Sequence, residues 1–398
     1  MRTHSLPLVV MLAVFLAWGC KKEEPAKTAE PAAQPDAAAP APPPKPAATK
    51  IGLVTDVGGR GDQSFNDSAL RGLELWSAGK KYTPGGYQDA TKEEVQASLS
   101  PDLAARQPPI TAMAVEPLIL QSKAQEDYEP NLQVLVDRGA KLTVGVGFMM
   151  ENAVEAVAKK NPGSNFLLID SPVMDAKGTP YTLPNVRAVT FREEQGSFLV
   201  GALAGLVTKT GKVGFVGGME VPLIKKFEAG FRAGVMSTNA KAKVLANYTG
   251  SFDNVAAGKQ VGQDLVAKGA GVVFQAAGAD GLGVIQAVKE ARGAGKQVYV
   301  IGVDSDQAHL APDAVLTSML KRVDLAIYDA ARDVVAGTFK GGDVALGLQE
   351  GGVGYAEVRV EIPNKAEALQ KIEALRQKVV AGEIKVPTNM DDLKTFKP

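Results

Sequence analysis

The chain has 398 residues, 45% of them hydrophobic, and its 44 basic side chains are balanced by 44 acidic ones. That length suggests about two to three domains, and the even charge gives no basic stripe of the kind a nucleic-acid binder needs. Cys20 is the only cysteine, so no internal disulfide can form and stability must come from core burial.

The N-terminus, "MRTHSLPLVVMLAVFLAWGC", has one basic residue, an apolar run and small residues ahead of Cys20. Such a pattern predicts a signal peptide over 1–19 rather than a membrane span, for which the run is too short. Cys20 stands where a bacterial lipobox places its acylated thiol, although Ala17 occupies the position usually held by Leu. Residues 20–50 are mostly Ala and Pro with no hydrophobic period, which predicts a disordered, semi-extended tether.

After Lys50 the pattern changes to short aliphatic runs alternating with stretches of helical period. Strands are predicted at 51–56, 141–146, 166–170, 186–191, 212–218, 243–250, 271–278, 298–304 and 314–320. Their runs are continuous rather than alternating, as in parallel strands covered on both faces. Between them, "YEPNLQVLVDRG" is closed by Gly139, "ENAVEAVAKKNPG" by Gly163, and "PLIKKFEAGFRAGV" is opened by Pro222, all helix boundary signals. The alternation predicts an α/β fold of two doubly wound parallel-sheet lobes, since one sheet would be overfull. A first lobe over 51–210 plus 308–337 and a second over 211–307 plus 338–398 are expected, with 80–125 as an insertion carrying a possible strand at "ITAMAV". "NKAEALQKIEALRQKVVAGEIKVP" reads as an amphipathic helix packing on the second lobe.

Catalytic signatures are missing. There is no GxGxxG after a strand, no Walker A loop, no HExxH, CxxC or GxSxG, and His309 is the only histidine after the leader. No catalytic residue, metal or cofactor is therefore expected. One alternative remains in "TDVGGRGDQSFND", where Asp56, Asp62 and Asp67 follow a strand and could hold a hard cation, as in a calcium-dependent nucleoside hydrolase. The other reading of these groups is structural, with Ser64 capping the next helix and Asp67 closing a capping box.

Ligand sites in doubly wound sheets lie outside the carboxyl ends of the strands. Phe65, in a turn of Gly, Asp, Gln, Ser and Asn, stands at such an end, although its spacing with Ala69, Leu73 and Trp76 also fits a core face. Asp56, Asn66, Asn152, Gly278, Asp304 and Lys321 occupy comparable positions, and Phe227 lies early in the helix after "KVGFVGG". Rings, carboxylates, amides and an ammonium suit a flat heteroaromatic body joined to a polyhydroxyl group.

At "IGLVTDVGGRGDQSFNDSALRGL", "FREEQGSFLVGALAGLVTKTGKVGFVGGMEVPLIKKFEAGFRAGV", "FQAAGADGLGV" and "IGVDSDQ...VLTSMLKRVDLAIYD" the sequence resembles the basic membrane protein family. That family includes purine nucleoside receptor lipoproteins, the substrate-binding components of ABC importers. The resemblance covers Ile51 to about Glu361 outside the insertion, and implies the type I periplasmic-binding-protein fold. It further implies a purine stacked between Phe65 and Phe227, a base edge read by Asp56 and Asn66, ribose held by Asp304 and Lys321, and a backbone contact at Gly278. Asn152 stands where the family's nucleoside receptors commonly carry Asp, which leaves the base preference open. Implied partners are a purine nucleoside, permease and ATPase subunits, and a membrane reached through the lipid anchor, with the protein a monomer facing the periplasm or cell exterior. A sugar or signalling molecule on the same fold, or an adhesin with a vestigial pocket, are the remaining alternatives.

Overall fold

The computed structural model describes residues 47–397. The expected signal peptide, Cys20 and residues 20–46 of the expected tether lie outside the described residues. In the first half the strands are β1 (Thr49–Thr55), β2 (Lys80–Thr83), β3 (Gly86–Asp89), β4 (Val115–Gln121), β5 (Leu142–Gly145), β6 (Asn165–Ile169) and β7 (Val186–Phe191). The second half adds β8 (Lys212–Gly217), β9 (Lys243–Tyr248), β10 (Val272–Ala276), β11 (Tyr299–Asp304), β12 (Val315–Lys321), β13 (Gly342–Leu346) and β14 (Val353–Tyr355).

They form two six-stranded sheets, ordered β13-β7-β6-β5-β1-β4 and β14-β12-β11-β10-β8-β9, and a separate β2-β3 hairpin. Every pairing in the large sheets is parallel except β12 with β14. Both faces of each sheet are covered, which explains the unbroken apolar runs. On β8, Phe215 packs with Phe231 and Phe274, while Val216 on the opposite face belongs to a separate core that includes Leu265 and Val284. In the first sheet, Leu53 and Val144 face one core, while Val54 and Leu168 face another built with Leu132 and Val154.

Two strands exchange lobes relative to the sequence reading. Strand β12, assigned by sequence to the first lobe, pairs with β11 in the second sheet, and β13, assigned to the second, pairs with β7 in the first. The reason is that the chain passes between the sheets at Arg192, again at Arg322, and through residues 347–352. Arg192 and Arg322 share a backbone conformation between strand and helix (φ −93, ψ 68 and φ −84, ψ 60). Backbone bonds from Arg192 N to Leu346 O and from Arg322 N to Gly352 O set the crossings side by side.

The expected insertion also shrinks. Its possible strand at 110–115 gives way to β4, an edge strand of the first sheet beside β1. Glu116 and Pro117 disguise β4 as a loop, but a proline without an N–H is tolerated at a sheet edge. The helix Lys365–Val380 buries Ala368, Ile372 and Val379 and packs on the second-half helix Glu193–Val207. That helix lies very close to helix Pro222–Thr238: a Cβ added at Gly234 would sit 2.0 Å from the Phe198 carbonyl oxygen.

Candidate ligand-binding cleft

The carboxyl ends of the two sheets face a common cleft, lined from both halves by apolar side chains with a few convergent polar groups, the usual make-up of a small-molecule site. Of the residues singled out in the sequence, Asp56, Phe65, Asn66, Phe227, Gly278, Asp304 and Lys321 all line it. Asn152 does not. It is exposed on helix Glu151–Lys160, because the turn Phe148–Met150 carries the chain away from the strand end; Gly147 and Phe148 line the cleft in its place.

Phe65 opens the helix Phe65–Leu70 and is partly exposed. Its helix start is built differently from the capping box expected. Ser64 makes no side-chain cap bond; Asp62 Oδ1 accepts from the N–H groups of Ser64 and Asp67 at 2.9 and 3.0 Å, and Oδ2 from that of Asn66 at 2.7 Å. Asp67 accepts from the Gly61 and Gln63 N–H groups. The Asp62 and Asp67 oxygens a calcium-dependent hydrolase would use are thus engaged by backbone N–H groups, and among the described residues no acidic or histidine cluster is arranged to hold a metal.

With its hydroxyl free of capping, Ser64 donates to Asp304 Oδ2 at 2.5 Å. Asn66 is similarly occupied: its amide donates to Asp56 Oδ1 at 2.7 Å and Asp62 Oδ2 at 3.1 Å, and its oxygen accepts from Asp56 N–H. Asn66 therefore fixes the Asp56 carboxylate. Among the described residues Asp56 Oδ2 has no donor, and it lies beside Gly147 and Phe65 at the cleft wall.

At the centre is Lys321, whose side chain is 2% exposed. Its ammonium lies 2.6 Å from Asp170 Oδ2 and 3.0 Å from Glu193 Oε1. Glu193 Oε2 in turn accepts from Lys226 at 3.0 Å. The ring centroids of Phe65, Phe191 and Phe227 lie 5.3, 5.1 and 5.6 Å from the same ammonium, close enough for cation–π attraction. Phe227, 3% exposed, is backed by Phe274 at 6.5 Å. Phe148 and Phe252 meet edge to face at 6.4 Å, one from each half.

Burial dominates the electrostatics. It pushes the Asp304 carboxyl up to about 7 despite Lys321 and the Ser64 hydroxyl, and the Asp56 carboxyl up to about 6 despite Asn66. Asp170 is raised by burial, which its Lys321 partner only partly offsets. For Glu193 burial is outweighed by Lys321 and Lys226, so its carboxyl is lowered; for Lys321 burial is outweighed by Asp170, Glu193 and Asp304, so its ammonium is held above the usual lysine range. Sequence reasoning missed Phe148, Asp170, Phe252 and Glu193. Asp170 had a signal: "FLLID" ends in Asp after an apolar run, as do "IGLVTD" and "VYVIGVD". The arrangement offers aromatic faces and several hydrogen-bond acceptors to a neutral guest.

Comparison with known proteins agrees with this geometry. The family model for Bmp, the ABC transporter substrate-binding protein PnrA-like family, matches residues 49–390. An ABC transporter nucleoside-binding protein, BmpA, of Lactococcus lactis subsp. cremoris is 33% identical over 355 residues, covering 85% of this chain and 89% of that protein. Basic membrane protein A of Borreliella burgdorferi is 32% identical over 349 residues, covering 87% and 90%. Among solved structures, an ABC transporter solute-binding protein from Aeropyrum pernix K1 aligns with a TM-score of 0.69 and 29% identity over 87% of this chain and 96% of that one. With two parallel sheets, a cleft at their carboxyl ends and a family match over nearly all of the described residues, the chain belongs to the Bmp, PnrA-like family of ABC transporter substrate-binding proteins and has the type I periplasmic-binding-protein fold.

Proposed function

We propose that this substrate-binding protein captures a purine nucleoside between its two halves and delivers it to the permease of an ABC importer. The observation that carries the reading is the convergence of Phe65 from the first half and Phe227 from the second on the single ammonium of Lys321. Two rings flanking one buried cation define a slot for a planar guest whose polar part reaches that cation. Asp56 Oδ2 would accept from the base edge, while Asp304 and Lys321 would take ribose hydroxyls, and Gly278 would offer its backbone. The nucleoside-binding relative in Lactococcus lactis supports the ligand class.

No phosphate belongs in this reading. Asp56, Asp62, Asp170 and Asp304 line the cleft against one lysine, and an anion would meet an acidic surround. Lipidation at Cys20 would hold the protein at a membrane, facing the periplasm or cell exterior; among the described residues no helix is long and apolar enough to cross a membrane. A Cys20→Ser chain that still partitions with membranes would overturn the anchor. Calorimetry of the full chain with adenosine, guanosine, inosine, uridine and free ribose tests the ligand. One-to-one binding of a purine nucleoside at micromolar to nanomolar affinity, about 8 to 12 kcal/mol, is expected. Heat from ribose alone would point to a sugar receptor, and no heat from any nucleoside removes the proposal.

A further inference from the structure

Asp170 is not among the groups assigned above to the ligand, yet its geometry is that of a contact residue. It follows β6 at the carboxyl end of the first sheet, just as Asp304 ends β11 in the second, and both have left-handed backbones, φ 73 and φ 63. Non-glycine residues adopt that conformation rarely, and it concentrates at functional sites. The side chain of Asp170 is 4% exposed and lines the cleft. Its Oδ2 takes the Lys321 ammonium, and its Oδ1 is buried with no hydrogen-bond partner among the described residues. A buried acceptor left unpaired is costly, so such atoms are usually matched by a partner.

The neighbouring groups indicate which partner. An ammonium has three donors; Lys321 directs one to Asp170 and lies against Glu193, which leaves one for a guest. Asp304 has Oδ2 engaged by Ser64 and Oδ1 without a donor among the described residues. The free set is thus a carboxylate oxygen from each half, Asp170 in contact with the ammonium and Asp304 within its electrostatic reach, and a spare N–H. A vicinal diol is its complement, since each hydroxyl donates one proton and can accept another.

We propose that Asp170 is a specificity-determining ligand contact which, with Asp304 from the opposite half, grips the two ribose hydroxyls near the Lys321 ammonium. The assignment rests on the nucleoside reading and extends it: the halves would read the sugar symmetrically, and the ribo form would be selected over deoxy forms.

The test is titration of the full chain, wild type and Asp170→Asn, with adenosine, 2′-deoxyadenosine and 3′-deoxyadenosine, with melting curves to verify folding. In the substituted chain Lys321 would hold the amide oxygen and leave an NH2 where the free acceptor had been. Wild type is expected to bind at least one deoxynucleoside about tenfold or more weakly than adenosine, the effect of losing a hydrogen bond to a charged group. In Asp170→Asn that preference should fall to within about twofold for one of the two deoxynucleosides. Unchanged ratios in the variant overturn the Asp170 assignment alone and leave nucleoside binding standing; absence of nucleoside binding by wild type overturns both. Should the variant fail to fold, equal wild-type affinity for all three ligands still overturns it.

Discussion

The hydroxyl of Ser64, at the start of a first-half helix, donates to the carboxylate of Asp304, the last residue of β11 in the second sheet. The bond joins the halves across the floor of the cleft. It also explains why the Phe65 helix is capped by Asp62: the residue in the capping position has its side chain committed elsewhere.

Asp304 gives the clearest pH dependence. Its carboxyl is raised by burial from an ordinary value of 3.8 to about 7, so the folded protein binds a proton the unfolded chain has already lost between those values. That contribution to stability is complete below about pH 4 and disappears as pH rises through about 7. Asp304→Asn removes the titration. The variant should therefore gain stability relative to wild type as pH rises from 4 to 8, by up to about 4 kcal/mol. Denaturant melts at several pH values check this, and a difference independent of pH would contradict it.

Removing the buried cation should be costly. Lys321→Met leaves Asp170 and Asp304 without their ammonium and Glu193 with Lys226 alone, and breaking a buried pair in this way typically costs about 3–5 kcal/mol. Lys321 itself remains charged throughout the neutral range, because its folded pKa is raised, so the variation with pH comes from the carboxylates. The loss should be greatest at neutral pH and smaller below about pH 4, where the abandoned acids are protonated. Thermal melts at pH 3.5 and pH 7.5 separate the two conditions.

The two cleft phenylalanines should differ in stability and agree in binding. Phe227→Ala empties a buried position beside Phe274 and should lower stability by about 3–5 kcal/mol. Phe65→Ala, at a partly exposed ring, should cost less. Both should weaken nucleoside binding more than about tenfold, or about 1.4 kcal/mol. Stability loss at Phe227 with unchanged affinity would mark that ring as core alone.

Gly234 tests the contact between the helices Glu193–Val207 and Pro222–Thr238. A methyl group there would lie 2.0 Å from a backbone carbonyl that cannot rotate away, so Gly234→Ala should force the helices apart at a cost of about 1–3 kcal/mol or more. Gly163→Ala, where an added Cβ meets nothing within 4 Å, is the control and should stay within about 0.5 kcal/mol of wild type. Chevron or equilibrium urea data distinguish them.

How far these features were legible in the sequence depends on how local their causes are. Strands covered on both faces left continuous apolar runs, and Gly139 and Pro222 marked helix ends, so the alternating fold could be read from one-dimensional pattern. Strand β4 was obscured because Pro117 is acceptable only through its edge position, a tertiary fact. Phe65, Phe227, Asp304 and Lys321 were found through their places at strand ends or early in helices. Asn152 stands in the first turn of its helix as expected but is exposed and off the cleft, because which side of that turn meets the cavity is set by packing and not by position in the sequence. Glu193 and Asp170 matter through Lys321, and Asp170 lies 151 residues from it in sequence, a pairing for which no spacing rule exists.

Lys321 is the residue before the crossing at Arg322, and Glu193 the residue after the crossing at Arg192. Atoms beside a rotation axis travel least, so a swing of one half about these segments would part the rim at Phe148 and Phe252 while barely stretching the charge cluster. The cation would then keep Asp170 and Glu193 beside it as the halves part.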